Sequence, residues 1–177
     1  MRICIESEVT NVFFGDDFAI GARREAVDFF QRAYRAQQNE DYEEAIELYK
    51  CSISIYPTAE AHTFLGWVYS FQNRYDDAIN ECLEAIRVDG TFGNPYNDIG
   101  SYLIAKGDIY GCVRWFKQAL LAPRYESYAF PHFNLARVFE MRGRLLDAAR
   151  HYSLALDQQP GYTHAAVAIR RIQAKLN

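Results

Sequence analysis

Ala61-His62-Thr63-Phe64-Leu65-Gly66-Trp67-Val68-Tyr69, followed by Asp77-Ala78-Ile79 and then Ala85-Ile86, decides the reading of this chain, because the same pattern returns along most of its length. Aligned on the small residue that opens the second apolar run of each unit, Ala45, Ala78, Cys112 and Ala148 lie 33, 34 and 36 residues apart. A period of that length marks stacked helical hairpins, none of which can bury its apolar face alone. Asn39-Glu40-Asp41, Asn73-Arg74, Lys106-Gly107-Asp108 and Arg142-Gly143-Arg144 place turn formers between two apolar-periodic runs in each unit. Each run predicts one helix. Glu43-Glu44 and Asp76-Asp77 then fall in the first turn of a second helix, where carboxylates complement the dipole and the free N–H groups.

Four units follow, at residues 26–58, 59–92, 93–128 and 129–162, and numbering each from its first residue aligns them. Position 8 is Ala33, Gly66, Gly100 and Ala136; position 20 is Ala45, Ala78, Cys112 and Ala148. Position 24 is Tyr49, Cys82, Phe116 and Tyr152; position 27 is Ser52, Ala85, Ala119 and Ala155. Each column keeps its size class, which resembles the tetratricopeptide repeat with its Leu-Gly, Tyr, Ala, aromatic and closing Pro. Position 32 departs from that outline, since Pro57 and Pro160 are matched by Gly90 and Arg124. Gly90 can end a helix, and Pro123 sits one residue early. The resemblance implies an all-α, right-handed superhelical array of helix pairs, closed by a capping helix at 163–177.

Composition bounds the function. The 177 residues, half of them hydrophobic and 15% aromatic with net charge −4, describe one globular unit. Residues 137–177 carry seven Arg or Lys against three Asp or Glu, and residues 1–136 twelve against twenty. A sequence pI of about 5.6 argues against nucleic acid as partner. No apolar run approaches a membrane span of roughly 18 residues or a signal peptide, so a cytoplasmic location is the expectation. Cys4, Cys51, Cys82 and Cys112 form no C-x-x-C pair, and three of them fall at helix-packing positions, which predicts buried thiols rather than a metal site. His62 and His132 share position 4, while His151 and His164 lie on other elements with no metal-ligand spacing. With no nucleophile elbow, phosphate loop or dinucleotide fingerprint, neither an enzyme nor a cofactor is expected.

Function is therefore sought on the inner face, which the resemblance assigns to positions 2, 5, 6, 9 and 12 of each first helix, with 13 at the rim. Carried over, this gives a partner-binding groove of Phe30, Tyr34, Trp67, Phe71, Asn94, Asn97, Phe133, Asn134 and Arg137. Glu60, Thr63, Phe64, Asp98 and Ser101 lie among them, with Phe64 expected in the core between helices and Trp67 open to either role. The cationic set with which related co-chaperone repeats clamp a terminal carboxylate is missing: its places hold Phe30, Tyr34, Phe64, Asn94 and Asp98 in one register. The other register puts Thr63, Trp67, Asp98, Phe130 and Asn134 there. An apolar or amphipathic segment fits better, with the Asn side chains bonding its backbone.

Residues 1–25 precede the array, yet Ile3, Ile5, Val9, Val12, Phe13, Phe14, Phe18 and Ile20 make them too apolar for a solvated tail. A capping helix over 17–25 with an arm ahead of it is expected, the arm lying in the groove or joining a homodimer. The function expected is a non-enzymatic scaffold that binds a partner protein or peptide. A self-associating module and a chaperone for secretion substrates are the alternatives.

Overall fold

The structure, a computed structural model, describes residues 6–176, with side chains described from 19 to 175. Among the described residues nine helices follow one another: α1 (Glu6–Gln38), α2 (Tyr42–Ile55), α3 (Ala59–Phe71), α4 (Tyr75–Val88), α5 (Asn94–Ala105), α6 (Cys112–Leu121), α7 (Ala129–Met141), α8 (Leu145–Gln158) and α9 (Thr163–Leu176). The one β feature among them is an isolated bridge between Phe92 and Arg124. Consecutive helices pack as hairpins, and each hairpin packs on the next, giving an α-solenoid.

The hairpin turns repeat one backbone device. Position 15 of each unit, Glu40, Asn73, Gly107 and Gly143, is left-handed with φ of 62°, 59°, 86° and 73°. That conformation stops the first helix and redirects the chain into the second. Acidic residues open the second helices, Glu43 and Glu44 in α2, Asp76 and Asp77 in α4, and Asp147 in α8. The Thr58 side chain caps α3 by accepting from the Ala61 amide at 3.1 Å, and Pro95 starts α5 where no amide hydrogen is needed.

The aligned columns are the core. Every residue at positions 8, 20, 24 and 27 is buried, from Ala33 to Ala155, so the small residues set how closely paired helices approach. A Cβ on Gly66 would sit 3.1 Å from the Ala78 carbonyl oxygen, and one on Gly100 would run into the Phe116 ring at 2.5 Å. Among the described residues three apolar clusters result, one centred on Tyr49, Leu65 and Ile99, a second on Phe116, Leu135 and Tyr152, and a small third of Ala119, Ala122 and Tyr125. Helix α9 lays Ala165, Ala168 and Ile172 on the second of them.

Two expectations are corrected. Residues 6–25 are not an arm and a separate capping helix, because α1 runs unbroken from Glu6 into the first repeat. No proline interrupts it, and Gly21, with open space around it, costs about 1 kcal/mol relative to alanine, too little to break a long helix. Residues 1–5 lie outside the described residues, as do the side chains of Val9, Val12, Phe13, Phe14 and Phe18. Of the packing cysteines, Cys82 and Cys112 are buried but Cys51 is exposed, on a face of α2 that neither α1 nor α3 covers.

Candidate functional site

Helices α1, α3, α5 and α7 converge, each touching the next first helix along the stack, whereas no second helix packs comparably on its successor. The side where the first helices meet is the inner face, and its lining falls into three zones. The first is aromatic. Phe30 of α1 and Phe64 of α3 stand edge to face at 5.2 Å, Tyr34 adds an edge contact to Phe64 at 5.7 Å, and Trp67 lies 4.6 Å from Phe64. Phe30 also packs on the buried Tyr49, so this zone is the exposed margin of the first core, with Tyr34 42% accessible. Phe71 stands apart at the rim, 54% accessible and stacked on Tyr42 at 5.6 Å.

The middle zone is polar. The Trp67 indole Nε1 donates to Asp98 Oδ2 at 2.5 Å, and Asn97 Nδ2 donates to the other Asp98 oxygen at 3.4 Å. Asn97 Oδ1 accepts from Asn134 Nδ2 at 3.1 Å, and the same Asn134 nitrogen reaches Ser101 Oγ at 3.4 Å. Arg137 completes the run with a long contact to Asn134 Oδ1, 3.5 Å. Burial pushes the Asp98 carboxyl up to about 7, with the Trp67 and Asn97 bonds pulling the other way. Asn134 is buried with its amide engaged, so the backbone-bonding role expected of it competes with bonds it already makes. Asn94 lies away from this run, at the first turn of α5, in a cavity of about 600 Å³ beside Glu60, Arg124 and Tyr125.

The third zone is a cavity of about 430 Å³ between α7, α8 and α9, lined by Phe133, Arg137, Tyr152, Thr163, His164, Val167, Ala168 and Arg171. Phe133 packs 4.9 Å from Tyr162 and 5.4 Å from Tyr152. Arg171 is held by Glu140 at 2.7 Å, and Lys175 lies 3.8 Å from the same residue. Arg137 has no carboxylate within ion-pair distance among the described residues. Among those residues no group of three His, Cys, Asp or Glu is placed to hold a metal, and no helix is long and apolar enough to cross a membrane.

Residues 30–92 match the family model of the tetratricopeptide repeat. PilF of Pseudomonas aeruginosa superposes with a TM-score of 0.81 at 18% identity, over 88% of this chain and 70% of that one. MamA superposes at 0.69 with 20% identity, over 84% and 80%, and YrrB, a tetratricopeptide protein with an unusual peptide-binding site, at 0.65 with 18% identity, over 85% and 77%. Residues 30–92 thus carry the tetratricopeptide repeat, and the superpositions show the fold of such repeat proteins across most of the chain. No curated protein matches it by sequence.

On the tetratricopeptide frame, the structure brings Phe30, Tyr34 and Trp67 into one patch, Trp67, Asn97 and Asn134 into one bonded run, and Phe133 and Arg137 into one cavity. Asn94 and Phe71 stay at the edges. Sequence reading missed the share of α9 in the third zone, because residues 163–177 read as a cap. Thr163, His164, Val167 and Arg171 follow helical spacing on one face, a signal as regular as the apolar face that marked the cap.

Proposed function

We propose that this protein is a non-enzymatic interaction scaffold whose inner face captures an apolar or amphipathic segment of a partner protein. The observation that carries this reading is the pairing of a partly exposed aromatic patch around Trp67 with an open, mostly apolar cavity beside Phe133 on the same face. A segment lying across the first helices would seat apolar side chains at both ends of the face and meet hydrogen-bonding groups between them. The peptide-binding site of YrrB, a relative in fold, supports the use of such an array as a receptor. Nothing in the three zones combines a nucleophile with an oriented base.

The test is selection of 12-residue peptides from a random displayed library on the whole protein. Trp67→Ala and Phe133→Ala should each weaken the selected peptides by about 1–4 kcal/mol with the helical signal unchanged. Peptides indifferent to both substitutions would place binding elsewhere on the molecule.

A further inference from the structure

Among the described residues, Asp98 is the one inner-face carboxylate with no cation within ion-pair distance. Glu60 is paired with Arg124 and Glu140 with Arg171, both across connections between elements. Asp98 instead accepts from two neutral donors, the Trp67 indole and the Asn97 amide. The titratable groups near enough to feel its charge are Cys82 from α4, Tyr102 from its own helix and Tyr125 from the connection between α6 and α7. Burial pushes the thiol and both phenols up, so all three stay neutral through the physiological range. A half-buried carboxylate in this setting is under-compensated, since neutral hydrogen bonds offset only part of its lost hydration.

The surroundings also have the shape of a cation subsite. The Trp67 edge is fixed on the carboxylate, while its ring belongs to the aromatic patch with Phe64, Phe30 and Tyr34. A guanidinium or ammonium on an alkyl stem matches both features: its stem and charge lie against aromatic faces, and its N–H donors reach the carboxylate. We infer that Trp67 and Asp98 form a subsite for one lysine or arginine side chain of the captured segment. The inference rests on the inner face being the receptor, and it selects basic segments over acidic ones.

Asp98→Asn tests it, because an amide oxygen still accepts from the Trp67 indole while the charge is lost. Peptides selected from the random library on the parent should carry Lys or Arg at one recurrent position. That preference should vanish in selections on D98N. For a single selected peptide, replacing the basic residue by leucine should weaken binding to the parent about tenfold or more, and to D98N by less than about twofold. Binding of the basic peptide should tighten as pH rises from 6 to 8, as Asp98 ionises, and should be flat for D98N. Peptides that depend on Trp67 and Phe133 but show no basic position would overturn the inference and leave the receptor reading standing. Peptides indifferent to those aromatics, or no selected peptides at all, would overturn both.

Discussion

Repeat 2 (α3 and α4) and repeat 4 (α7 and α8) are built on the same devices and differ at one partly buried polar pair. In each, the arginine at position 16 bonds the aspartate at position 19, Arg74 to Asp77 and Arg144 to Asp147, both at 2.7 Å. In each, the same arginine lies over the aromatic ring at position 11, 4.2 Å from Tyr69 and 4.8 Å from Phe139. Position 4 is histidine in both, but its partner at position 23 is Glu81 in repeat 2 and His151 in repeat 4. His62 meets a carboxylate at 2.7 Å, whereas His132 and His151 face each other Nδ1 to Nδ1 at 3.2 Å. One imidazole must then donate and the other accept, an arrangement that only a neutral acceptor ring can complete. The hairpin tolerates an exchange of partly buried polar partners so long as each polar atom keeps a mate, while the small-residue columns admit no such freedom.

The sharpest way to break the equivalence is therefore to crowd those columns. Gly66→Leu in repeat 2 pushes a side chain toward the Ala78 carbonyl, and Ala148→Leu in repeat 4 enlarges a fully buried alanine. Each should destabilise the protein by about 1–3 kcal/mol or more in urea unfolding, and by similar amounts, because both positions separate paired helices. If one variant melted like the parent, the two hairpins would not share a packing register.

That symmetry was legible in the sequence because helix pairing is encoded by size at fixed positions, and Gly66, Ala78, Cys112 and Ala148 carry it without reference to any distant residue. Turn chemistry was equally local, down to Gly107 and Gly143 in their left-handed turns. The inner face was legible as a list of positions, but its bonding was not. Trp67 with Asp98, and Asn97 with Asn134, join residues of different repeats, and which atoms meet depends on the rotation between hairpins. The His132–His151 contact escaped for the same reason: two lone histidines 19 residues apart have no spacing signature until the hairpin closes. The break expected near residue 25 failed because hydrophobic content, unlike a proline, does not stop a helix.

The histidine pair gives the next test. Burial lowers both imidazoles, His151 to about 4 through desolvation first and then its neighbours His132, Arg150 and Lys117, with Asp147 acting in the opposite sense. The unfolded chain protonates these groups near pH 6.5, so their contribution to stability is whole above that value and is lost as pH falls toward 4. Both rings are only half buried, so solvent screens part of the effect. Replacing the pair's second member, His151→Glu, installs the partner that repeat 2 uses and gives His132 an acceptor that favours its charged form. Between pH 7.5 and 5.0 the parent should lose about 2–4 °C more in Tm than H151E. Equal losses would mean that the two pairs respond to acid alike and that the difference between the repeats is only one of shape.

The smallest effect concerns position 15, where repeat 2 has Asn73 and repeat 4 has Gly143, both left-handed at φ 59° and 73°. Glycine reaches this region without steric cost but loses more chain entropy on folding. Asparagine is among the few L-residues that adopt it readily. The two terms offset one another, so exchanging the residues, Asn73→Gly and Gly143→Asn, should move the urea midpoint by the equivalent of about 0.5 kcal/mol or less in either direction. Open space around a Cβ at Gly143 removes any packing reason for a larger change. Gly143→Val, which adds a β-branched side chain to the same open site, should cost clearly more than Gly143→Asn, because its penalty lies in the backbone conformation. If valine and asparagine were equally tolerated, the turn of repeat 4 would have relaxed out of the left-handed region, and the two hairpins would close by different turns.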